Sequence, residues 1–127
     1  MNYDEISKKL EEIKIEDFIW IIYIAVIFLS WIANSVEKKY FVNNDINARD
    51  NYRKIMTIIF VCIIVVYIYF LTGSIKDLME LKESDTKEKK FLTFLSFIGS
   101  LLVFISGIIF LYIIIKDKNI DVEIAFN

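Results

Sequence analysis

Residues 91–115 read FLTFLSFIGSLLVFISGIIFLYIII, 25 residues without one charged side chain. At about 1.5 Å per residue a helix of that length reaches ~37 Å, more than the ~30 Å hydrocarbon core of a bilayer. The stretch therefore predicts a transmembrane helix. Two similar runs precede it, residues 18–36 and 55–75, and all 17 carboxylates lie outside the three runs. A soluble core would not require charge to be sorted in this way. The expected fold is an all-α membrane protein with three transmembrane helices and an amphipathic helix at the N-terminus.

Composition supports that class and narrows the chemistry. The 127 residues suit one membrane domain, and 57% of them are hydrophobic although 25% are charged. A net charge of −2 with no basic cluster interleaved with aromatics sets nucleic-acid binding aside. Cys62 is alone and sits inside the second run, where it reads as a small buried apolar residue. There is no histidine, and no metal-ligand spacing, glycine-rich phosphate loop or nucleophile with a base beside it. No cofactor, small-molecule substrate or enzymatic activity is expected. With every carboxylate outside the spans, none offers a buried proton relay or ion-coupling site. Zero prolines and three glycines favour long helices. Heavy use of Ile, Lys and Asn resembles small membrane proteins of AT-rich bacteria, a likeness of composition alone, and implies a multi-pass protein of the cell membrane, the bacterial inner membrane.

Outward from the third run, small and hydroxylated residues form a stripe. On a helical wheel Ser96, Gly99, Ser100, Ser106 and Gly107 fall inside an arc of about 120°. Helices in lipid associate by close packing, which small residues permit. The stripe predicts a packing face against the first helix or against the same helix of another copy. A pore lining would use similar residues but normally adds charge.

The first run, residues 18–36, has a polar face. Tyr23, Ser30 and Asn34, with Trp20, lie within about 80° of one another. That face reads as interhelical hydrogen bonding by Ser30 and Asn34, or as a pore lining or ligand face. Before it, residues 1–17 place Tyr3, Ile6, Leu10 and Ile13 within about 80°, an amphipathic helix with an acidic polar face. Asn2 and Glu5 suit a capping box, Asp17 could cap the following span, and the helix is expected to cover the bundle end or a partner. Six carboxylates against three lysines are the wrong sign for the leading region of a cleaved signal peptide.

Residues 37–54 form a charged hairpin. Asn43, Asn44 and Asp45 signal the turn, Asp45 caps a helix starting near Ile46, and Asp45–Arg49 and Asp50–Lys54 have the spacing of exposed ion pairs. After the second run, residues 76–90 form a charged loop broken at Ser84, Asp85 and Thr86, with Asp85 and Glu88 as a capping pair for the last helix. The tail, residues 116–127, alternates Ile120, Val122, Ile124 and Phe126 with charged residues, a period of two. It reads either as disordered or as a strand added to a partner's sheet. Eight Lys and Arg on one side of the bilayer against seven on the other leave orientation open.

These features point to a non-enzymatic structural or accessory subunit that self-associates as a homo-oligomer or binds a membrane-protein partner within the lipid bilayer. A small oligomeric pore, holin-like in size and span number, is the alternative, and an immunity-type protein that occludes a toxin's membrane target is a further one.

Overall fold

The computed structural model describes residues 2–124. It is all-helical: α1 Tyr3–Asn43, α2 Ile46–Met79 and α3 Lys87–Lys116, each long and apolar enough to cross a membrane. The amphipathic segment and the first span are one helix of 41 residues, about 60 Å long. Asp17 thus lies inside a helix and caps nothing, because no Pro or Gly interrupts the chain there. The N-terminal segment also does not cover the bundle end: Tyr3, Ile6, Leu10 and Ile13 are exposed.

Helix ends follow local chemistry. Asn2 Oδ1 accepts the Glu5 N–H at 2.9 Å and starts α1. Asn44 takes the left-handed conformation, φ 53°, and closes it. Asp45 then accepts the N–H groups of Asn47 and Ala48 and starts α2, so the hairpin tip is only two residues long. At the other turn the cap of α3 is Thr86, whose hydroxyl accepts the Lys89 N–H at 3.1 Å. The expected Asp85–Glu88 capping pair is therefore corrected. Asp85 instead accepts the Lys82 N–H at 2.8 Å and folds the turn.

α2 is the spine. It packs against both α1 and α3, while the backbones of α1 and α3 do not come close to each other. The core accordingly belongs to α2: Met56, Ile59 and Phe60 are almost fully buried, and the cluster around them takes in Ala33 of α1 and Ile114 of α3. The Phe60 and Phe110 rings lie 5.8 Å apart across the α2–α3 seam. Within lipid such burial stabilises through close packing rather than through removal of apolar surface from water. The outward faces of α1 and α3 carry exposed Ile24, Phe28, Leu102 and Ile109, as a lipid-facing surface should.

The three charge-free runs are level with one another. Arg53, just before the second run, reaches the carbonyls of Ile114 and Ile115 at the end of the third. Gly107 lies against Ile64 and Tyr67 midway along both helices. Antiparallel pairing in this register superposes three uncharged bands of about 28 to 37 Å, matching the thickness of a hydrocarbon core.

Candidate functional site

α1 and α3 both pack on α2 without close approach of their backbones to each other, and a notch lies beside α2 at each end. The two ends differ.

The end next to the hairpin tip is closed. Arg53 Nη2 donates to the Ile115 carbonyl at 2.8 Å, and its Nε donates to that of Ile114 at 3.4 Å. The last carbonyls of an α-helix have no partner within it and carry the negative end of its dipole, so a guanidinium there satisfies both needs. Arg49 Nη1 donates to Asn119 Oδ1 at 3.1 Å, and the Tyr40 hydroxyl donates to the Asn119 carbonyl at 3.5 Å. Asp117 folds the chain back: its carboxylate accepts the N–H groups of Asp121 at 3.0 Å and Val122 at 2.7 Å. Ile124 is buried, Ile120 packs beside it, and about 20 Å³ remains between the tail and Tyr52.

Residues 117–124 therefore form a hydrogen-bonded plug, neither a strand nor a loose tail. The alternation fails at Ile120, whose φ of 57° is left-handed and breaks the extended path. Phe126 lies outside the described residues. The ion pairs expected at Asp45–Arg49 and Asp50–Lys54 do not form, since Asp45 is turned to the backbone as a cap and Arg49 bonds to Asp50 and Asn119.

The opposite end is open. A groove of about 640 Å³ lies there between the outer turns of α1, the last turns of α2 and the first half of α3. α1 contributes Lys8, Lys9, Glu12 and Glu16, and α2 contributes Lys76, Asp77 and Glu80. Ser96 and Ser100 of α3, with Phe70 and Ser74 of α2, also line it, and of these only Ser74 is buried. Among the described residues the only ion pair in this set is Lys9–Glu12 at 3.8 Å.

The small-residue arc of α3 is split. Gly107 is buried against α2, where an added Cβ would lie 3.2 Å from Ile64 Cγ1 and 3.3 Å from Tyr67 Cδ2. Ser100 is half-buried; Ser96, Gly99 and Ser106 are exposed, and a Cβ on Gly99 would meet nothing within 4 Å. Ser106 donates to the Leu102 carbonyl of its own helix at 2.9 Å. The expected contact of this face with α1 is not made, because only one edge of the arc turns inward, and it turns to α2.

On α1, Tyr23 and Ser30 are half-buried, whereas Asn34 is exposed. Neither Ser30 nor Asn34 hydrogen-bonds to another helix among the described residues; Tyr23 meets Trp20 edge to face at 5.7 Å. Cys62 is half-buried and free. Arg49, Arg53, Asn119 and Asp117 were not marked as a group by the sequence. The sign that could have flagged them is a pair of arginines one turn apart at the edge of a span, opposite a helix end in need of donors.

No family model matches the chain, and no curated protein or solved structure matches it either.

Proposed function

We propose that the chain is a non-enzymatic structural or accessory subunit of a cell-membrane assembly, joined to a second copy or to another membrane protein through the outward edge of α3. The observation that carries this reading is the split of the small-residue arc. Gly107 is used inside the chain, while Gly99 and Ser106 stand uncovered on a lipid-facing surface where close backbone approach is available.

Proximity crosslinking in liposomes tests it. Gly99→Leu is expected to lower the associated fraction severalfold while leaving helix content unchanged, and Leu101→Ile is expected to leave association intact. Equal association of both variants and the parent would end the α3 reading. Vesicles carrying the protein are expected to hold a trapped dye; leakage would favour the pore.

A further inference from the structure

We infer that the open groove binds the headgroup of a zwitterionic phospholipid bearing a primary amine, of the phosphatidylethanolamine type. The inference does not depend on association through α3.

Three observations lead to it. The groove crosses the boundary of the uncharged band: Ser96 and Ser100 lie inside the third run, and Lys76, Asp77 and Glu80 lie just beyond the second. Its polar rim and partly apolar floor therefore sit at the level where a lipid passes from headgroup to acyl chain. α1 and α3 pack on α2 without close backbone approach to each other, and this space stays open beside α2.

Its charges also come in both signs, and apart from Lys9 and Glu12 they are exposed and without an ion pair among the described residues. Among the described residues Lys8, Lys76, Glu16, Asp77 and Glu80 form no ion pair, although all of them line the groove. Three lysines with four carboxylates disfavour an anionic headgroup, which would gain the lysines but be repelled by the greater number of acids. An ammonium beside Glu16 and a phosphate beside Lys8 and Lys76 gives both signs a partner at once. A primary amine offers three donors to those carboxylates, and a quaternary amine offers none.

The notch at the other end supplies the contrast. There the chain fills the space with its own tail and satisfies its own polar groups. At the groove the space of about 640 Å³ is left open.

The test is native mass spectrometry of the full-length protein in mild detergent, titrated in parallel with phosphatidylethanolamine, phosphatidylcholine and phosphatidylglycerol. One equivalent of the ethanolamine lipid is expected to bind, about tenfold tighter than either of the others, the ratio expected for one charge-assisted hydrogen bond. Lys76→Gln and Glu16→Gln should each remove most of that preference, and Lys118→Gln at the far end should not; circular dichroism confirms that each variant keeps its helix content. Equal affinity for the three lipids, a preference for phosphatidylglycerol, or unchanged binding by both groove variants would overturn the assignment. So would displacement of the lipid by an equal concentration of free phosphoethanolamine, since the site would then serve a soluble ligand. A protein dimer lost in the groove variants in place of a lipid adduct would give the groove to a second copy.

Discussion

The notches at the two ends of α2 are built from similar materials and treated in opposite ways. At the hairpin end Arg53, Arg49 and Asp117 each find partners on another element or in the tail, and the plug buries Ile124. At the other end seven charged side chains line a groove in which only Lys9 and Glu12 pair. The difference lies in connectivity. The last described residues run on from α3 over the hairpin end, whereas at the far end the short turn between Met79 and Lys87 and the first turns of α1 border the groove without filling it. The closed end is expected to set rigidity, and the open end to be the site of binding, as low-stability regions commonly are.

The largest expected effect breaks the seam on which both ends depend. A Cβ at Gly107 would already lie tighter than ordinary contact against the Ile64 and Tyr67 side chains, and a larger side chain has no space there unless they move. Gly107→Leu should force α2 and α3 apart and destabilise the fold by on the order of 3 kcal/mol, the upper part of the usual overpacking range. Gly99→Leu, facing open space, should leave stability within ~0.5 kcal/mol of the parent. Helix content followed through an SDS titration in detergent separates the two. Similar midpoints for both variants would show that the α2–α3 contact at Gly107 is not tight.

How far these regions could be read from the sequence follows from the reach of each interaction. The three spans were legible because exclusion of charge is a local property of each run. The hairpin tip was legible because Asn44 and Asp45 act on their immediate neighbours. Continuity of α1 is not legible because Asp17 suits an N-cap by residue type, although a capping residue type does not by itself interrupt a helix. The clamp escaped notice because Arg53 acts on carbonyls 61 and 62 residues away, beyond any periodicity. The wheel placed Gly99 and Gly107 on one stripe but carried no information on which neighbour each would meet.

A smaller effect sharpens the contrast by opening the closed end. Arg53→Ala removes two hydrogen bonds to the last carbonyls of α3 and should cost about 1–2 kcal/mol. Asp117→Ala removes the acceptor of two backbone N–H groups and should cost about 1 kcal/mol. Both should speed proteolysis of the tail while leaving the groove residues unchanged. A tail that stays protected in both variants would mean that the apolar contacts of Ile120 and Ile124 hold the plug without its polar clamp.

The smallest effect belongs to the turn that borders the open end, where the charge on one carboxylate holds the local structure. The Lys82 N–H donates to Asp85 at 2.8 Å, and the Lys89 ammonium donates to its other oxygen at 3.1 Å. These bonds, the backbone one foremost, hold the Asp85 carboxyl below its ordinary value of 3.8. A group whose pKa is lowered by folding stabilises the folded form above its unfolded value and loses that contribution as pH falls through the lowered one. The turn should therefore be intact at neutral pH and loosen only under strong acid. Its loosening should appear as faster hydrogen exchange at the Lys82 amide, corrected for the intrinsic pH dependence, with the α2–α3 seam at Gly107 unaffected. In Asp85→Asn the same amide should exchange faster at neutral pH and show no such acid transition. Protection that persists in the variant would transfer the turn's stability from the carboxylate to the backbone bond between the Asp85 N–H and the Lys82 carbonyl, 3.0 Å long.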